Sequence, residues 1–147
     1  MTFFMLMAFF AGIALATQAV LNTHLGQLLS SSLLATFVAF LTSSIVMGMV
    51  VLTSVQNLPS LEVVKSIPIY LWFSGGLLSA FALALFFYLI PKIGILPLVS
   101  MSLSGQLIFA VVVGHFGFFG FPITQINTSK IIGVTSMLLA IFLINKG

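Results

Sequence analysis

The chain has 147 residues, 61% of them hydrophobic and only 3% charged, with four lysines against one glutamate and a net charge of +3. A soluble domain has roughly a quarter of its residues charged, so a water-exposed surface is excluded and the chain reads as an integral membrane protein. Four lysines are too few for a nucleic-acid partner, and the absence of cysteine removes disulfides and thiolate metal sites.

The first apolar segment runs from about Thr2 to Asn22. A secretory signal peptide starts with positive charge, whereas Thr2-Phe3-Phe4 follows Met1 here. It is therefore expected to remain as a first helix. Gln18 and Asn22 stand four residues apart, on a face that continues through Ala11 and Ala14. Thr23 to Ser32 is the expected connection to a second segment, residues 33–55, which carries Ala35, Ala39 and Ser43 at helical spacing. Such small-residue faces let helix backbones approach closely in lipid.

Residues 56–67 join it to a third segment, 68–90, opened by Pro68 and ended before Pro91. Proline suits a first helical turn, where its missing N–H would be unpaired anyway. Gly76, Ala80 and Ala84 form a second small-residue stripe. Tyr70 and Trp72 lie near one end and Tyr88 near the other. The tyrosines are separated by ~27 Å of helical rise, which matches aromatic belts at two membrane interfaces. For Trp72 a second reading is a place on a substrate pathway. Pro91-Lys92-Ile93-Gly94 is expected to be a tight hairpin.

The fourth segment, 95–113, has no charge, yet its middle carries Ser100, Ser102, Ser104 and Gln106. A lipid-facing helix does not keep such side chains at that depth, so this one is expected to be covered by other helices or to line a cavity. The fifth segment, 131–144, is preceded by Asn127, Thr128 and Ser129, all good N-caps, and carries Ser136 with Ala140. No segment alternates strictly, and open sheet edges are not viable in lipid. The expected fold is an all-α integral membrane protein, with residues 1–147 forming a single domain of five transmembrane helices.

The lysines do not choose an orientation. With five spans, Lys65 and Lys130 share the side of the N-terminus, while Lys92 and Lys146 lie on the other side. Positive residues favour the cytoplasmic side, and here they balance. Copies are therefore expected to insert both ways up, the alternative being that helix hydrophobicity or a partner chain fixes one orientation. Two inverted copies of an odd-numbered unit reproduce the inverted repeats from which many transporters are built, with the site near the midplane. One chain is then half of a ten-helix transporter, an inverted homodimer.

The chemistry available is that of amides and hydroxyls. No acid lies in a span, and Glu62 is the only one in the chain. His24 and His115 fall near segment ends. There is no nucleophile-and-base pair, no phosphate loop and no metal-ligand cluster, so neither an enzyme nor a cofactor or metal is expected. The candidate substrate-pathway residues are Gln18, Asn22, Trp72, Ser102 and Gln106. The amides either bridge helices or line a cavity for a polar or amphipathic solute.

Several motifs in order carry a family resemblance. They are Ala11-Gly-Ile-Ala-Leu-Ala16-Thr-Gln18-Ala-Val-Leu-Asn22-Thr-His-Leu25-Gly26, Tyr70-Leu-Trp72-Phe-Ser-Gly75-Gly76, Ser104-Gly105-Gln106, His115-Phe116-Gly117 and Lys130-Ile-Ile-Gly133. Together they resemble the YdcZ-type family of small bacterial inner-membrane proteins, placed in the drug/metabolite transporter superfamily. The resemblance implies a five-helix half-transporter that moves small molecules by alternating access. Gln18, Asn22 and Gln106 match its pattern. Many relatives look to have an acid just before His-Phe-Gly, where this chain has Gly114. The chain is expected to be a multi-pass protein of the bacterial inner membrane, with lipid, a small-molecule substrate and a second copy as partners. The alternatives are a channel-like pore of the same dual-topology design, or an accessory protein that scaffolds another.

Overall fold

The computed structural model describes residues 1–146, and every regular element among them is helical. In chain order these are α1 (Thr2–Leu28), α2 (Ser32–Ser54), α3 (Leu61–Ser66), α4 (Ile69–Ile93), α5 (Ile95–Phe116) and α6 (Thr128–Lys146), with a 3₁₀ turn at Phe118–Gly120. All but the short α3 are long and apolar enough to cross a membrane, giving the five expected spans. Even α6, with 19 residues, rises ~28 Å against a hydrocarbon core of ~30 Å. The chain divides into two compact units, Met1–Lys92 and the remainder from Ile93.

In the first unit α1 continues through Leu28, beyond the segment end expected at Asn22. The stretch Thr23–Leu28 contains no residue that breaks a helix except Gly26, and that glycine has a packing role. A Cβ there would stand 3.4 Å from the Ala35 Cβ and 3.4 Å from the Ser32 Cα. The two helices meet through small residues, with Ala19, Thr23 and Gly26 buried on α1 and Ala35 and Thr36 on α2. Only Leu29–Ser31 remains as the turn. Ser30 N–H donates to the Gln27 carbonyl (3.1 Å) and Ser31 N–H to the Gly26 carbonyl (2.9 Å). This closure requires a left-handed residue, and Ser30 supplies it at φ 54. Ser31 then caps α2, its Oγ accepting from the Leu34 N–H at 3.3 Å.

The α3 helix is capped by Ser60, with Glu62 in its first turn and Lys65 in its last. Each charge sits at the end of the helix dipole that favours it. The connection expected over Pro91–Gly94 is shorter, because α4 runs through Pro91 to Ile93. In the last turn proline forfeits one main-chain bond, to the Phe87 carbonyl, and the helix tolerates it. The break falls at Gly94 alone, at φ 85, a conformation open to glycine without strain.

In the second unit α5 reaches Phe116 and stops at Gly117, which is left-handed at φ 64. The returning segment is tied to it by Thr124 N–H donating to the Gly114 carbonyl at 2.8 Å. Among the expected caps of the last span, Asn127 fills the role. Its Oδ1 accepts from the Lys130 N–H at 2.9 Å. The buried side chains of this unit are Leu98 and Ser100 on α5 and Ile141 on α6.

The small-residue stripes are used unequally. Ala35 is fully buried and Ala39 partly so, while Gly76, Ala80, Ser136 and Ala140 are exposed. Most large apolar side chains of the spans are exposed as well, as befits helices whose solvent is lipid.

Candidate functional site

The polar residues of α5 divide between two faces. Ser102 and Gln106 are four residues apart, and one turn of helix brings their side chains together. Gln106 Nε2 donates to Ser102 Oγ at 2.8 Å. Gln106 is exposed and Ser102 half-buried, about midway along the span. Ser100 and Ser104 lie on the other face. Ser104 Oγ donates to the Ser100 carbonyl at 3.1 Å, and Ser100 Oγ to the Pro97 carbonyl at 3.0 Å. Ser100 Oγ also accepts from Asn145 Nδ2 of α6 at 2.9 Å, and the same Nδ2 reaches the Ile141 carbonyl at 2.8 Å. One face of α5 is thus tied to α6, and the Ser102–Gln106 face is left open.

Gln18 and Asn22 are half-buried on α1, beside the stripe of Ala19, Thr23 and Gly26 that meets α2. Trp72 lies in the first turn of α4, 54% exposed, near the helix end, where a residue of an interfacial belt is expected. The structure therefore joins Ser102 to Gln106 by a hydrogen bond and sets Gln18 beside Asn22 on one helix. It places Trp72 on a separate element. His24 is exposed within α1, and His115 sits in the last turn of α5 with its ring edge-on to Phe116 at 5.0 Å. No group of side chains that could hold a metal ion occurs among the described residues.

Two polar residues escaped sequence reasoning. Asn145 lay beyond the expected end of the last span at Ile144, and read as flank. Its position four residues after Ile141 was the available signal, because an amide there can turn back on its own helix. Thr23 lay in what was expected to be a loop. It is 4% exposed, and its Oγ1 has no hydrogen-bond partner among the described residues. Other span threonines bond to the carbonyl four residues back, as Thr17, Thr36, Thr42 and Thr135 do at 2.8–2.9 Å.

Gly114 has a steric explanation. A Cβ at this position would stand 2.6 Å from Thr124 Oγ1. Any side chain there, an acid included, requires Thr124 to move. The glycine belongs to the closure that brings the 121–127 segment back to α5.

The comparisons with known proteins agree with this architecture. A family model described as "Putative inner membrane exporter, YdcZ" matches residues 3–143. No curated protein and no solved structure matches the chain. The family match takes in residues of all five spans and every motif that suggested it, so the chain belongs to the YdcZ family, a multi-pass inner-membrane family of exporter rather than enzyme type.

Proposed function

We propose that the chain moves a small polar or amphipathic solute across the inner membrane by alternating access, working as an antiparallel pair of identical copies. The observation that carries this reading is the open Ser102–Gln106 face. Gln106 bonds to Ser102 of its own helix, and its amide is otherwise exposed near the middle of a span. An amide left to hydrocarbon costs several kcal/mol on a cyclohexane-like scale. A second copy and a solute held between the copies would both relieve that cost. Gln106 and Ser102 are then the groups that meet the solute on α5, and Gln18 and Asn22 those on α1. Trp72 would flank the entrance.

The exposed Gly76 and Ala80 face of α4 supports a second copy, because small residues let helices approach closely in lipid. The lysines support its inversion. Lys65 and Lys130 on one side are balanced by Lys92 and Lys146 on the other, and short-loop positive charge is what sets orientation.

The test begins with topology, which needs no substrate. The chain has no cysteine of its own. Single cysteines at Asn57 and at Leu29 would lie on opposite sides of the membrane. In intact cells a membrane-impermeant maleimide should label a similar fraction of each. Full labelling of one and none of the other would refute opposite insertion. Two locked variants then test the pair. Q56K/N57K biases the N-terminal side inward, and K65Q/K130Q biases it outward. Each alone should be inactive in flux measurements on a solute found by thermal-shift screening. The mixture should be active, and activity of either variant alone would sink the antiparallel pair.

A further inference from the structure

The first unit contains an open cleft of about 260 Å³ that the transport reading does not use. Its walls are the turn joining α1 and α2 and the last turn of α4. Gly26, Gln27 and Ser30–Ser32 line one side, and Phe87, Tyr88, Pro91 and Lys92 the other. We propose that this cleft binds a phosphate-type anionic group, with Lys92 as its cation.

The charge of the cleft is unopposed. Lys92 is its one charged lining residue, and no carboxylate is among its lining residues. The only acid of the whole chain, Glu62, lies on α3. In a chain with so few charges, a cation set among three serines and an amide is a distinct local environment.

Lys92 is also held rather than free. Its Nζ donates to Tyr88 Oη at 2.6 Å and stands 3.9 Å from the centre of the same ring. Both contacts come from a residue one helical turn earlier, so α4 itself positions the ammonium. One of its three protons is used, and the others have no acceptor among the described residues. Fixing a flexible lysine before a ligand arrives removes part of the ordering cost of binding.

The opposite wall supplies neutral donors. Ser30, Ser31 and Ser32 have hydroxyls and Gln27 an amide, groups suited to phosphate oxygens. Ser30 holds left-handed backbone at φ 54, a conformation that strains a non-glycine residue. Glycine would close the same turn without strain. A serine there keeps a hydroxyl on the cleft wall.

The depth of the cleft suits a lipid phosphate. It lies where α1, α2 and α4 all end or begin, so it sits at the boundary between hydrocarbon and headgroups. The chemistry would serve a soluble phosphate equally, and the two sources are separable by experiment.

The full chain is reconstituted in nanodiscs of phosphatidylcholine, with or without phosphatidylglycerol, and its melting temperature is followed. In a second arm, inorganic phosphate is titrated into the phosphatidylcholine discs. Stabilisation by phosphatidylglycerol alone identifies a lipid headgroup, and saturable stabilisation by phosphate identifies a soluble anion. In either case K92Q should weaken the effect about tenfold, the scale of a lost charge-assisted hydrogen bond. K92R should restore most of it. K65Q removes the same charge elsewhere and should leave it intact. Should K92Q fail to fold, Y88F tests the same site, keeping ring and cation while dropping the hydroxyl that holds Nζ, and a few-fold loss is expected. Stabilisation in neither arm, stabilisation unchanged in K92Q or Y88F, or an equal loss in K65Q would overturn the proposal. None of these results depends on the antiparallel pair, whose own test is topology.

Discussion

The bond between Asn145 and Ser100 ties α6 to α5, and its strength can be worked out from what each partner keeps when the other is removed. Asn145→Leu removes the donor to Ser100 Oγ. Ser100 Oγ still donates to the Pro97 carbonyl at 3.0 Å, so its hydroxyl is not orphaned. In the reverse substitution, Ser100→Ala, the Asn145 amide still reaches the Ile141 carbonyl at 2.8 Å. Neither change strands a buried donor, so the penalty of 1–3 kcal/mol for an unsatisfied group does not apply. What remains is the interhelical bond itself. Such bonds in bilayers average ~0.6 kcal/mol, with a maximum near 1.7.

Two features set the expectation within that range. The 2.9 Å separation is good hydrogen-bond geometry, and Ser100 is only 6% exposed. Against this, Asn145 is beside Lys146 at the end of α6, where water competes. A coupling of about 0.5–1 kcal/mol is therefore expected from a double-mutant cycle of N145L, S100A and the pair. The cycle is measured by reversible unfolding in mixed lipid–detergent micelles. A coupling below about 0.3 kcal/mol, the usual error of additivity, would refute the argument.

The other predictions concern single positions. Thr23→Val removes a buried hydroxyl with no partner among the described residues and should stabilise the chain by about 1 kcal/mol in the same assay. A loss of stability would mean that Thr23 Oγ1 is satisfied in the membrane. Gly117→Ala forces a side chain onto left-handed backbone, with its Cβ 2.7 Å from Ile123 Cγ1. It should cost about 1–2 kcal/mol from the backbone alone, with more from the clash. A neutral result would show that the turn after α5 can rearrange. Gln106→Leu removes an amide that hydrocarbon penalises and should not destabilise the solute-free chain, while abolishing stabilisation by a transported solute. Unchanged solute binding would confine Gln106 to packing.

Much of the architecture was legible because the bilayer imposes it. The lengths of the apolar runs, the near absence of charge and the lack of alternation were sufficient for five helical spans. The ends were less legible, for identifiable reasons. Pro91 reads as a stop, but in the final turn of α4 it gives up a single bond, and the conformational break belongs to Gly94. Gly26 reads as a loop residue, yet it stays helical because α2 packs against its bare Cα. The turn between α1 and α2 shrinks to Leu29–Ser31 through bonds from Ser30 and Ser31 that reach back into α1. At the site, the Ser102–Gln106 contact was legible because both residues are on one helix at a spacing of four. The Asn145–Ser100 contact was not, since it joins residues 45 apart, and periodicity within a helix says nothing about which helix lies next to it.

The distribution of polar bonds also bears on how the chain assembles. Several span hydroxyls are satisfied within their own helix, as those of Thr17, Thr36, Thr42, Ser104 and Thr135 are. Those groups need no neighbouring helix when they enter lipid. Association is left to close packing and to a few polar groups that still seek partners. Within the first unit the close packing is Gly26 against α2, and within the second the polar tie is Asn145 to Ser100. Gln106 falls outside this economy. It is the one amide on α5, it is exposed, and Ser102 on its own helix is its partner. In water such a residue would need no explanation. In a bilayer it is the reason we propose that a solute or a second copy meets this face of α5.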